Sequence, residues 1–510
     1  MEEILKKIKE QKVTGNYLLY FFILICFMFV WRLFFIKISG FDLSPDEAYY
    51  WDWSRHLSWG YYSKPPLIAW IIALSCKLFG TSTFTVRVPA AVLSVGSLIW
   101  LFLLTREMFG EKAGLFAVIF SLLTPGSCVL GFIMTIDPPL MFFWSLSLYL
   151  LWKAAEKESL FYWIATGIAA AFGLLAKQTM IAFIPIIFFY LYFHKKNQLK
   201  SLGPYLVIII VALAITPTLI WNANHHWITF KHTAHHFEEG GPKFHIELKT
   251  FFEFIGTQLV VFSPMTWILM MFLFIKGLKY FYSNRKIAYL LSFSFFPIIP
   301  VIFLSFKQRV NANWPAPFYI AGFVLIGAYI CEKIFKEKSK ILDKKIVITT
   351  VFLVGFIFTI FTYSIPWSIN FLGIKGTKID PTIRIRGWKE LAKEAYQVLK
   401  PLSKEHPGIF ILAYRRQTTS ELAFYLPKRP QVYCYPGSKV TSQYDLWHGP
   451  QKGKDALIFI ESDEHIPTGL FRLFKGLEDL CPIKIPLGAK KSRSFKLFLG
   501  KQLIFWPKPL

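Results

Sequence analysis

The sequence predicts a multi-pass, all-α membrane protein over residues 1–369, followed by a small soluble α/β domain over 370–510. Three observations predict it. Hydrophobic residues fill 54% of the 510 positions and charged residues only 17%, more apolar surface than a water-soluble domain can cover. The apolar residues gather in about eleven runs long enough, or nearly so, to cross a bilayer core of ~30 Å. After residue 370 these runs give way to short strand-like and helix-like segments punctuated by Gly and Pro.

The N-terminus, MEEILKKIKEQK, is charged and precedes the first run without a small-residue cleavage site, as in a retained signal anchor. The runs fall near 17–37, 86–106, 113–131, 138–154, 160–177, 179–194, 203–221, 254–276, 286–306, 315–333 and 346–367. Two long polar connections separate them, at 38–85 and 222–253. In the tail, GWKELAKEAYQVLK (387–400) has helical periodicity, whereas GIFILAY and ALIFIE read as buried strands.

A formal net charge of +26 raises nucleic acid as a partner, but no reader motif accompanies it and none is expected. The cations instead mark alternate connections, as the positive-inside bias requires. They are Lys6, Lys7, Lys9 and Lys12; Lys195, Lys196 and Lys200; Lys276, Lys279, Arg285 and Lys286; and Lys333, Lys336, Lys338, Lys340, Lys344 and Lys345. With an odd number of spans, this pattern predicts a cytoplasmic N-terminus. Loops 38–85 and 222–253, Asp137, Lys177, the turn at 307–314 and the tail then lie together on the outer side. The six cysteines have no metal-ligand spacing, and Cys434 and Cys481 could pair if the tail faces an oxidising compartment.

The chemistry-bearing residues begin at FDLSPDEAYYWDWSRHLSWGYYSKPPLIAW (41–70), where Asp42, Asp46, Glu47 and Asp52 stand close to Arg55, His56 and Lys64. Ser44-Pro45-Asp46-Glu47 has the form of a helix cap with an acidic first turn. The same carboxylates are candidate catalytic groups, because Tyr49, Tyr50, Trp51, Trp53, Trp59, Tyr61 and Tyr62 beside them are either an interfacial belt or stacking surfaces for sugar. Tyr61 and Tyr62 are the candidate substrate contacts among them. Asp137, in MTIDPPLMFF, is either a cap for a following helix or a second carboxylate partnering Asp46.

Lys64, Arg87 and Lys177 read either as snorkelling anchors or as cations that bind a phosphate. WNANHHWITFKHTAHH (221–236) brings His225, His226, His232, His235 and His236 together without an HExxH framework. Substrate contact by His225 and His226 is expected there, and neither a cofactor nor a bound metal, although a divalent ion is compatible with imidazole. KQRVNANWPAP (307–317) adds Lys307, Asn313 and Trp314 as substrate contacts or interfacial anchors, with Arg309 and Asn311 beside them.

S-P-D-E with Y-Y-S-K-P-P-L, I-D-P after the third run, L-A-K at the fifth and N-W-P-A-P late in the apolar region resemble the polyprenyl-phosphate-dependent glycosyltransferases of the GT-C class. The likeness is to the bacterial group of lipid A aminoarabinose transferases and protein O-mannosyltransferase-like proteins, and it covers roughly 40–320. RIRGWKELA, SELAFYLP and SQYDLW resemble a bacterial branch of the same family. The resemblance implies a catalytic carboxylate at Asp46 or Glu47, a second at Asp137, and a lipid-phosphate contact at Lys64. Ser63 stands where the aminoarabinose transferases have Glu, a departure that weakens the carry-over of their metal ligand and of their particular sugar.

The implied reaction is an inverting displacement at the anomeric carbon, with polyprenyl phosphate leaving. Its donor is a polyprenyl-phosphate sugar, and its acceptor an envelope glycolipid of the lipid A or lipopolysaccharide kind at the outer face of the cytoplasmic membrane. A protein acceptor is the alternative, as is a wall-polymer ligase that transfers a whole glycan. A lipid flippase or transporter is the rival of another class; it predicts ionisable residues at mid-membrane depth and repeat symmetry, which the sequence does not display. A ligand-binding sensor leaves the 41–70 chemistry unused.

Overall fold

The computed structural model describes residues 16–238, 246–335, 344–437, 439–488 and 491–507. The charges expected at Lys6, Lys7, Lys9, Lys12, Lys336, Lys338 and Lys340 lie outside the described residues, as does the side chain of His236. The chain forms two compact units. One comprises Met1–Ile36, Arg87–Leu219 and Ala234–Tyr363; the other comprises Lys37–Val86, Ile220–Thr233 and Ser364–Leu510.

The first unit is helical. All eleven apolar runs form helix, but their lengths differ from expectation. Among the described residues, five helices have the length and apolarity to cross a membrane: Tyr17–Ile38, Thr83–Phe109, Gly203–Asn224, Arg285–Ser305 and Lys344–Phe371. A sixth is reached if Leu248–Phe262 and Pro264–Leu278, bent by 108° at Ser263, count as one span. The bend has a local cause. Ser263 sits at a φ of +62° and Pro264 cannot donate into the preceding turn, so the helix breaks between them. The run at 113–131 divides likewise, into Glu111–Leu122 and Pro125–Leu130.

The core of this unit is a continuous apolar cluster that includes Phe102, Trp144, Phe274 and Tyr289. The helices approach closely where side chains are small. A methyl group at Gly327 would clash with the Ala113 carbonyl, so glycine is what lets Tyr319–Ile330 lie against Glu111–Leu122.

The second unit is built on a five-stranded sheet. Its strands are β1 (Phe410–Ala413), β2 (Val432–Cys434), β3 (Ala456–Glu461), β4 (Phe474–Pro486) and β5 (Ser492–Leu503), in the order β2-β1-β3-β5-β4. β1 pairs in parallel with β2 and β3, while β5 runs antiparallel to β3 and β4. The runs GIFILAY and ALIFIE become β1 and β3, whose buried residues suit central, parallel strands. The helix expected at 387–400 is Trp388–Glu405.

The segment after the first apolar helix folds with this sheet. It contains the helices Pro45–Ser54 and Leu67–Phe79, of which the second is an apolar helix not expected inside a polar connection. Asp42 places its Oδ2 at the start of the Trp388–Glu405 helix, accepting from the backbone N–H of Trp388 at 2.9 Å. A carboxylate there satisfies an orphan donor and complements the helix dipole. Asp52 accepts from the Tyr444 hydroxyl at 2.8 Å, and the Gln443 N–H donates to the Tyr49 hydroxyl at 2.5 Å.

Candidate active site

Within the sheet-containing unit, the four carboxylates of the 41–70 segment separate by burial. Asp42, Glu47 and Asp52 are buried. Glu47 closes a capping box: its Oε2 accepts from Ser44 N–H at 2.8 Å, while Ser44 Oγ accepts from Glu47 N–H at 3.3 Å. The Glu47 carboxylate is thus enclosed and bound to the helix start. Asp52 is also enclosed; burial raises its carboxyl above the ordinary range, against the opposing pull of Arg55 and Tyr444.

Asp46 differs. Its side chain is 41% exposed, and its Oδ1 accepts from Arg416 at 3.0 Å. The guanidinium of Arg416 lies 4.8 Å from the centre of the Tyr49 ring, so one face of the cation is supported by an aromatic plane. The helix cap fixes the backbone of Asp46, and the ion pair orients its carboxylate. One oxygen faces a fixed cation, the geometry of a group that takes a proton at a defined place.

Tyr61, expected against sugar, is fully buried. Its ring stacks on Trp53 with centroids 4.4 Å apart, and its hydroxyl donates to the His56 carbonyl at 3.0 Å. Tyr62 remains partly exposed and packs its ring 4.8 Å from His232. Lys64 is half-buried, on the turn that leads into the Leu67–Phe79 helix. His225 is stacked on Trp221 at 3.9 Å, with Nδ1 bonded to the Trp221 carbonyl at 2.7 Å. His226 adopts a φ of +56°.

In the helical unit the second cluster forms around Asp137. This residue opens the helix Asp137–Lys157, ahead of two prolines that suit a first turn. Its Oδ1 accepts from Lys177 Nζ at 2.7 Å and its Oδ2 from Asn313 Nδ2 at 2.7 Å. Lys177 interrupts the chain in extended geometry between Leu160–Ala176 and a 3-10 turn, which aims its ammonium at Asp137. Asp137 and Lys177 are both buried. The cation expected to hold phosphate is therefore matched to a carboxylate, and the expected substrate contact Asn313 is bound to the same group. Lys307 and Trp314, on the turn around Asn313, are half-buried.

Arg87 is fully buried, with its guanidinium 4.3 Å from the Phe132 ring centre. Two further residues escaped sequence reasoning. Arg32, only 2% exposed inside the first apolar helix, donates to Ser94 Oγ at 2.8 Å and to the Ser127 carbonyl at 3.1 Å. An arginine within an apolar run was the available signal. Arg416 stood next to SELAFYLP, where nothing in one sequence connects it to Asp46.

Among the described residues, no group of three or more His, Cys, Asp or Glu side chains is placed to hold a metal ion. Cys434 and Cys481 are both free thiols, one buried and one exposed. Burial pushes the Cys434 thiol up to about 12.

Comparison with known proteins gives a consistent picture. Residues 63–221 match the family model of dolichyl-phosphate-mannose–protein mannosyltransferase. The chain is 24% identical over 300 residues to the lipid A galacturonosyltransferase RgtD of Rhizobium johnstonii, a match that covers 58% of this chain and 62% of that protein's length. Crystal structures of ArnT from Cupriavidus metallidurans superpose with TM-scores of 0.62 in the apo state and 0.63 with undecaprenyl phosphate bound, at 14% identity. These superpositions cover 95% of this chain and 98% of ArnT. The resemblance read in the sequence is thus borne out: the chain has the fold of a GT-C polyprenyl-phosphate-dependent glycosyltransferase. It is a multi-pass membrane protein with a C-terminal sheet region.

Proposed function

We propose that this protein is an inverting glycosyltransferase that moves a sugar from a polyprenyl-phosphate donor to a lipid A-type glycolipid at the outer face of the cytoplasmic membrane. The acceptor hydroxyl oxygen attacks the anomeric carbon as the bond from that carbon to the phosphate oxygen breaks. The hydroxyl proton passes to the Asp46 carboxylate, and polyprenyl phosphate departs with the bonding electron pair. Lys64 meets the charge that develops on the leaving phosphate. Arg416 keeps the Asp46 carboxylate oriented.

The observation that carries the reading is the burial pattern of four neighbouring carboxylates. Three are enclosed in structural contacts, and Asp46 alone keeps its side chain open to solvent while held at a fixed angle. The lipid A galacturonosyltransferase relative supports a glycolipid acceptor, and the undecaprenyl phosphate bound to ArnT supports the donor class. The mannosyltransferase family model favours a protein hydroxyl as the second reading. Mass spectra of envelope glycolipids and glycoproteins from cells carrying the wild type or Asp46→Asn decide between them. A single sugar missing from the glycolipid supports the first reading, and its loss from protein the second. An unchanged envelope with the variant folded overturns both.

A further inference from the structure

The sheet-containing unit holds a cleft of about 610 Å³ that the reaction scheme above does not use. Its size is that of a small-molecule site. Four cationic side chains line it, Arg384, Arg415, Lys491 and Arg493, against two acidic ones, Glu461 and Asp463, and Arg415 is already paired with Glu464. Glu461 accepts from the Thr418 hydroxyl, and burial raises its carboxyl above the ordinary range against that bond and the nearby cation of Arg415.

The cationic side is built at two levels. Arg493 is anchored: its guanidinium lies 3.7 Å from the Trp388 ring centre and donates to the Ile383 and Arg386 carbonyls. Burial draws it down to about 10, so it remains charged at neutral pH. Arg384 and Lys491 are exposed at the cleft, where a ligand can recruit them without breaking an established ion pair among the described residues. Guanidinium groups match phosphate oxygens in pairs.

The position matters as much as the charge. Pro45 lines the wall, one residue before Asp46. Arg415 and Gln417 line it on either side of Arg416, the partner of Asp46. The cleft wall is thus contiguous in the chain with both members of the Asp46–Arg416 pair.

We propose that this cleft binds the phosphate groups of a phosphorylated glycolipid acceptor and so presents its sugar hydroxyl to Asp46. The inference rests on the glycosyltransferase reading for the acceptor's role, while the cleft's affinity for phosphate can be measured apart from transfer. The test uses the full chain in phosphatidylcholine nanodiscs, with a bisphosphorylated acyl-glucosamine disaccharide as probe and the same lipid without phosphates as control. The wild type is expected to bind the bisphosphorylated lipid at least tenfold more tightly than the control. The Arg384→Gln/Lys491→Gln double variant loses about tenfold of that affinity, and Arg384→Lys/Lys491→Arg recovers most of it.

Equal binding of the two lipids, or an unaffected double variant, overturns the proposal. Displacement by inorganic pyrophosphate at the same affinity assigns the site to free anions and also overturns it. So does equal competition from phosphatidylglycerol, which would make it a membrane-surface patch. The transferase reading is separated by Asp46→Asn, expected to bind the lipid like the wild type while transferring no sugar. Tight phosphate-dependent binding by a wild type that never transfers sugar would support the cleft and overturn the transferase.

Discussion

Asp46, on the helix that follows the first apolar segment, and Arg416, more than three hundred residues later, share a 3.0 Å ion pair supported by the ring of Tyr49. The pair is partly exposed, so its worth to stability is at most about 1 kcal/mol. Its value lies in orientation. Arg416→Gln is expected to lower turnover about tenfold while shifting the thermal midpoint by no more than about 2 °C, with partial recovery in Arg416→Lys. Turnover and thermal shift measured on the same preparations check this; equal turnover in Arg416→Gln contradicts it.

The Asp137–Lys177 pair behaves differently because both members are buried. Removing one charge strands the other, at a cost of about 3–5 kcal/mol. Lys177→Met is therefore expected to be less stable than the double variant Asp137→Asn/Lys177→Met, in which no charge is left behind. A double-mutant cycle on thermal stability in detergent reads the coupling. Additive losses would remove the pair from the account.

Acid should loosen the C-terminal region through Asp380. Burial works to raise this carboxyl, but hydrogen bonds from Gly376 and Thr382 and the cation of Arg386 outweigh it and hold it below its ordinary 3.8. A lowered pKa in the folded state means a contribution fully present above about 3.8 and lost as pH falls through the folded value. Asp380→Asn is expected to lower the melting temperature at neutral pH, with the gap to wild type closing below pH 3.8. A gap that widens toward acid contradicts the sign.

Gly60 packs directly on the Trp221 indole, whose plane also stacks on His225 at 3.9 Å. A β-carbon at position 60 would enter the ring, and the ring has an aromatic neighbour to displace. Gly60→Ala should cost roughly 1–3 kcal/mol, and Trp221→Leu in the same chain should restore part of it. Unfolding midpoints of the three variants test the contact.

The lipid-facing character, the order of the helices and the strands β1 and β3 were legible because hydrophobic periodicity and length report burial directly. Span lengths were less so. Ser263 adopts a left-handed backbone and Pro264 breaks the ladder, so one apolar run becomes a bent pair. At the candidate site the sequence offered four acidic residues close together, with Asp46 or Glu47 as the expected catalytic carboxylate. Their separation depends on partners far along the chain: Trp388 for Asp42, Tyr444 for Asp52 and Arg416 for Asp46. No local pattern encodes those meetings. Glu47 was the exception, since Ser44 three residues earlier already spelled the capping box.

Asp46 as the proton acceptor is the central claim, and reconstituted sugar transfer tests it most directly. Purified protein is given a polyprenyl-phosphate sugar and a lipid A-type acceptor, and the release of polyprenyl phosphate and the anomeric configuration of the product are followed. The wild type is expected to transfer with inversion, and Asp46→Asn to lose at least about a hundredfold in rate with donor binding intact. Transfer by Asp46→Asn at the wild-type rate, or a product that retains the donor's anomeric configuration, would contradict the account.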